Sequence, residues 1–141
     1  MNPVRILLVE DNEGDIVLTI DAFEECKITT NISVVKNGGD AIDFLFKRGA
    51  FTGVERPDLI LLDINIPVYS GHEVLQIIKE DVNLRRIPVI MLTTSSNEKD
   101  VHLAYQNHSN SFVTKPIDMT EFVRVILKIE EFWLQLVRLP N

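Results

Sequence analysis

The sequence predicts an α/β domain built on a parallel sheet, and three observations carry that prediction. Short apolar runs alternate five times with segments of helical period, the order that strand–helix–strand crossovers produce. Two of the runs, Leu59–Leu62 and Ile87–Leu92, are nearly continuous Leu, Ile, Val and Met, as expected of central strands covered on both faces. A length of 141 residues, 45% apolar and 25% charged, suits one compact domain that buries about two-thirds of its surface.

The elements follow in order. Val4–Val9 reads as the first strand, and Ile16, Ile20 and Phe23 recur at i, i+4, i+7 after an acidic start, the mark of a first helix. Asn31–Val35 is the second strand. Ala41, Ile42 and Leu45 form a helical stripe after the Gly38-Gly39 turn. Leu59–Leu62 is the third strand, and Val74, Leu75 and Ile78 follow Gly71 as the third helix. After the fourth strand, Ile87–Leu92, the segment Glu98–Gln106 has only Val101, Leu103, Ala104 and Tyr105 to bury, so it predicts the loosest helix. Ser111–Thr114 is a short fifth strand, and Asp118 with Glu121 has the spacing of a capping box opening a last helix.

Composition narrows the function classes. A net charge of −7 argues against direct nucleic-acid binding, which needs a concentrated basic face. A lone cysteine, Cys26, forbids an internal disulfide and reads as an inert core thiol. No apolar run approaches the roughly 20 residues of a membrane span, and the first residues lack a signal-peptide pattern. The expected compartment is the cytoplasm, with no membrane partner. His72 reads as a surface residue, and His102 and His108 lack metal-ligand spacing.

In parallel α/β sheets, ligands bind beyond the carboxyl ends of the strands. Those ends carry Glu10 and Asp11, then Asp63, then Thr93, then Lys115 followed by Pro116. Three carboxylates meeting in one crevice repel one another, and a hard divalent cation such as Mg²⁺ relieves the repulsion. A hydroxyl and an ammonium nearby suit the oxygens of a phosphoryl group carried on a carboxylate. Each residue alone has a plainer reading. Glu10 and Asp11 fit a helix N-terminus, Thr93 fits a strand end, and Lys115 fits a surface turn. The set across four strand ends favours the site.

The stretches Ile6-Leu7-Leu8-Val9-Glu10-Asp11-Asn12, Leu59-Ile60-Leu61-Leu62-Asp63-Ile64-Asn65-Ile66-Pro67 and Ser111-Phe112-Val113-Thr114-Lys115-Pro116 resemble those of response-regulator receiver domains of two-component signalling. The resemblance covers residues 4–130. It implies a flavodoxin-like (βα)₅ doubly wound fold of strand order 2-1-3-4-5, and phosphorylation of Asp63 by a sensor histidine kinase. It implies that Glu10, Asp11, Asp63 and the backbone carbonyl of Asn65 hold Mg²⁺. Thr93 and Lys115 would contact the phosphoryl group, and Phe112 would be the switching aromatic, here without a phenolic hydroxyl. The chain would catalyse only its own phosphorylation and dephosphorylation.

Residues 1–141 are expected to form one receiver domain with a C-terminal extension over 131–141 and no output domain. The apolar stripe Phe122, Val125, Ile126, Ile129 continues at helical spacing through Phe132, Trp133 and Leu136. Those last three residues either fold back on the domain's own core or pack on a partner, a second copy or the kinase. The tail, the segment Lys47–Arg56 and the run Asn83–Pro88 are similar to those of stand-alone regulators serving phytochrome histidine kinases, a subgroup of homodimers. A role as phosphorelay intermediate is an alternative. A phosphohydrolase of the haloacid-dehalogenase type needs a second acid two places after the nucleophile, where this chain has Asn65. A pseudo-receiver scaffold would not need Asp63, Thr93 and Lys115 together.

Overall fold

The computed structural model describes residues 3–25, 29–93 and 111–114, together with Arg124 and Leu127. The element order is β1 (Val4–Val9), α1 (Glu13–Glu24), β2 (Thr30–Val35), α2 (Gly38–Leu45), a 3₁₀ turn (Gly49–Phe51), β3 (Leu59–Leu62), α3 (Gly71–Glu80), β4 (Val89–Thr93) and β5 (Ser111–Thr114). The strands make one parallel sheet in the order β2-β1-β3-β4-β5, the order the resemblance implies.

The sheet divides its side chains between two cores. Leu7, Val9, Ile60, Leu62, Val89 and Met91 pack with the apolar residues of α2 and α3. Their neighbours Ile6, Leu8, Leu59, Leu61 and Ile90 pack with Ile16, Ala22 and Phe23 of α1. Successive strand residues point to opposite faces, so a strand covered on both faces must be apolar throughout. That is why all four residues of β3 are apolar and buried.

Local chemistry starts each helix. Asn12 caps α1 by accepting from the Asp15 N–H at 2.9 Å, and Asn37 caps α2 by accepting from the Asp40 N–H at 2.7 Å. Ser70 and Glu73 form a reciprocal capping box at the start of α3. The segment Lys47–Arg56 closes over the lower end of α2, with Phe51 tilted on Phe44 at 5.4 Å between ring centres.

β1, β3 and β5 have the bounds read from the sequence, and β2 begins one residue earlier, at Thr30. β4 differs more, running Val89–Thr93 instead of Ile87–Leu92. The Ile87 N–H is spent on the Leu84 carbonyl at 3.0 Å, and Pro88 has no N–H to give the ladder. His72 is half-buried, not a surface residue: both ring nitrogens are shut off from solvent at the start of α3. Arg124 and Leu127 are helical and exposed, and both lie off the apolar stripe of the expected last helix. The segment Glu98–Gln106, Cys26, the capping pair Asp118 and Glu121, and the stripe residues themselves lie outside the described residues.

Candidate metal site at the strand ends

Two backbone extensions place the acids. The Glu10 N–H donates to the Val35 carbonyl at 3.0 Å, and the Asp63 N–H donates to the Val9 carbonyl at 3.1 Å. Each acid therefore prolongs the sheet hydrogen bonding by one residue, at the rim of β1 and β3. Glu10 is 1% exposed and Asp63 8%, while Asp11 lies open at the mouth. One carboxylate oxygen from each of Glu10, Asp11 and Asp63 can be chosen so that all three lie within 4.8 Å of one another. The acids expected to converge do so.

The carboxylates also meet fixed backbone donors. The Asn12 N–H donates to Glu10 Oε2 at 3.3 Å, and the Asn65 N–H donates to Asp63 Oδ1 at 3.2 Å. These bonds satisfy part of the buried negative charge. Two carboxylates so withdrawn from water, with a third at the opening, are costly without a counter-charge. Their all-oxygen donor set fits a hard divalent cation that keeps some of its waters.

The loop after Asp63 is held by two glycines, Gly71 where it closes and Gly38 at its middle. Gly71 donates its N–H to the Ile64 carbonyl at 2.9 Å, and a β-carbon there would stand 2.7 Å from Ile64 Cα. Gly38, opening α2, donates to the Pro67 carbonyl at 3.0 Å, and a β-carbon there would stand 2.3 Å from the Tyr69 carbonyl oxygen. Between these anchors Val68 has φ +74°, in the left-handed region a β-branched residue avoids, and its side chain is 73% exposed. The Gly38-Gly39 and Gly71 signals were visible in the sequence as helix starts, but their close approaches were not. Lys36, paired with Glu13 beside the mouth, carried no recognisable motif.

The backbones of the remaining candidates fall near the same rim. Leu62 pairs with Met91, so Thr93 ends β4 two residues further along, level with the residues just past Asp63. Phe112 pairs with Met91 from β5, and Thr93 pairs with Thr114, the residue before Lys115. Lys115, Phe132, Trp133 and Leu136 lie outside the described residues. Among the described residues no helix is long and apolar enough to cross a membrane.

Comparison with known proteins agrees with this geometry. A family model described as the response regulator receiver domain matches residues 6–127. Response regulator Rcp1 of Synechocystis sp. is 41% identical over 138 residues, spanning 98% of this chain and 94% of that protein. The probable methanogenesis regulatory protein FilR2 of Methanothrix harundinacea is 41% identical over 141 residues, 99% of this chain and 90% of that one. Among solved structures, the phosphorylated cyanobacterial phytochrome response regulator RcpA superimposes with a TM-score of 0.92 at 40% identity, covering 99% of this chain and 100% of that chain. The Mn²⁺-bound form of Rcp1 superimposes with a TM-score of 0.89, at the same identity and coverage.

Proposed function

The chain belongs to the response regulator receiver family, and from that premise we propose that Asp63 is its phosphoacceptor, charged by a sensor histidine kinase. The observation that carries this reading is the meeting of Glu10, Asp11 and Asp63 within 4.8 Å at the ends of adjacent strands. An ionised Asp63 oxygen attacks the phosphorus of a phosphohistidine. An O–P bond forms, the N–P bond breaks, and the electron pair returns to the imidazole of the donor.

Glu10, Asp11, Asp63 and the carbonyl of Asn65 would hold Mg²⁺. When bound, that ion neutralises charge on the carboxylates and on the phosphoryl oxygens. Divalent-metal binding has support in the Mn²⁺-bound Rcp1 structure; the choice of Mg²⁺ is part of this proposal. Thr93 and Lys115 would bind phosphoryl oxygens. Phe112 would turn inward as Thr93 moves toward the phosphoryl group, changing the surface that partners read. The acceptor loop, tied at Gly38 and Gly71, keeps the Asn65 backbone beside Asp63 throughout.

Output would pass through protein contacts of the receiver domain. The similarity to the phytochrome response regulator RcpA supports a phytochrome-type kinase as donor. A homodimer joined through Phe132, Trp133 and Leu136 is part of the same proposal and rests on the apolar, helical spacing of those residues in the sequence. Incubation with acetyl phosphate and Mg²⁺, read by intact mass, tests the acceptor. A labile gain of one phosphoryl group that disappears in Asp63→Asn is the expected result. A gain that persists in Asp63→Asn overturns the assignment. Light-dependent transfer from a phytochrome kinase, compared with a kinase lacking a chromophore, tests the donor class.

A further inference from the structure

Among the described residues β2 is hydrogen-bonded on one side only, to β1, and forms an edge of the sheet. Edge strands are commonly protected by charge, proline, a bulge or shortness. Thr30–Val35 has none of these: its six uncharged residues stay in unbroken register with β1 and include no proline. Helix α2, at eight residues, spans only about 12 Å, against about 20 Å for the strand beside it. Among the described residues the lower part of that face is covered only in part by the segment Lys47–Arg56, and a cleft of about 320 Å³ opens there, its lining including Arg5, Ile6, Asn31, Ser33, Phe44 and Val54. Its floor is fixed. Arg5 is paired with Glu55 and donates from Nε to the Arg56 carbonyl at 3.1 Å.

Charge says what would fit. Helix α1 with its cap carries Glu13, Asp15, Asp21, Glu24 and Glu25, α2 carries Asp40 and Asp43, and neither holds a lysine or arginine. Seven of the chain's 21 carboxylates thus stand on the helices flanking β2. Lys36, at the far end of the strand, is paired with Glu13. A second copy docked edge to edge would bring two acidic α1 helices together, so like charge opposes that occupant.

We propose that β2 is a docking edge for an extended, lysine- or arginine-bearing segment of a partner protein, which adds as a further strand. Asn31 and Ser33 line the cleft, while Ile32 and Val34 pack toward α1. Side chains of the added strand alternate in the same way. The segment therefore places apolar residues at every second position, over Phe44 and Val54, and basic residues between them, on the side of the acidic helix α1.

The probe is an end-blocked hexapeptide of alternating valine and lysine, added to the full chain and followed by amide hydrogen exchange resolved by NMR. New protection of the β2 amides that point away from β1 is expected. Affinity should fall at least tenfold when a central valine of the peptide becomes proline, and as much in Asp21→Lys/Glu24→Lys. Equal binding of the proline peptide would reveal diffuse charge attraction and overturn the proposal. So would outer β2 amides already protected in the free chain, or no protection at millimolar peptide. None of these positions belongs to the Asp63 cluster, so acetyl phosphate labelling of the double variant should match the parent and shows that it is folded.

Discussion

The α-carbon of Gly71 stands so near the backbone of Asp63 that a β-carbon built on it would fall 2.3 Å from the Asp63 carbonyl oxygen. Helix α3 thus abuts the main chain of the residue we propose as phosphoacceptor. The first residue of α3 has to be glycine for reasons of contact, since its φ is ordinary.

Gly71→Ala should lower stability by about 2–3 kcal/mol, because backbone against backbone has nowhere to yield. Gly53→Ala, where an added β-carbon meets nothing within 4 Å, is the matched control and should leave the urea midpoint unchanged or slightly raised, since alanine narrows the unfolded chain. The rate of labelling by acetyl phosphate should fall in Gly71→Ala alone.

Val68→Asn should stabilise the fold by about 1 kcal/mol. It relieves a valine held at φ +74°, and asparagine adopts the left-handed region more readily. The side chain is 73% exposed, so little apolar burial is lost in exchange. Val68→Gly should gain less, since glycine also loosens the unfolded chain. Equilibrium unfolding in urea ranks the three proteins.

Mg²⁺ should raise the urea midpoint of the parent, by about 2.7 kcal/mol of stability at a hundredfold excess over its dissociation constant. Asp11→Asn removes one of the three crowded charges without touching the buried pair. In metal-free buffer it should therefore be at least as stable as the parent, while the Mg²⁺-dependent gain shrinks or vanishes. An undiminished gain would remove Asp11 from the ligand set.

The pH dependence should carry a signature of the α3–β4 turn. Hydrogen bonds from the backbone N–H groups of Leu84 and then Asn83 hold the Asp81 carboxyl below the usual carboxylate range. A depressed folded pKa stabilises above the unfolded value, and that contribution is lost as pH falls through the folded one. Asp81→Asn should flatten the acid limb of the stability curve below about pH 4, with little change in the shape above neutrality.

Much of this was legible in sequence because it rests on period and chemistry. β3 announced itself by being apolar throughout, and Glu10, Asp11 and Asp63 by standing where parallel strands end. The start of β4 was misplaced because Ile87 looks like strand, while its N–H is taken by Leu84 across a turn. The half-burial of His72 depends on how α3 seats against the sheet, which no local pattern encodes. Val68 was illegible for a different reason. Left-handed backbone is normally signalled by glycine or asparagine, and here tertiary ties impose it on a valine.

The division of β3 between two cores gives its length a parity as well as an extent. Removing one residue from Leu59–Leu62 would exchange the sides of everything before the cut, or else rotate Asp63 toward the opposite layer. Removing two would restore the facing but shorten the ribbon. Indels should therefore be purged here whatever letters they bring, while the stretch over 47–56 tolerates a changed count, since no alternation runs through it.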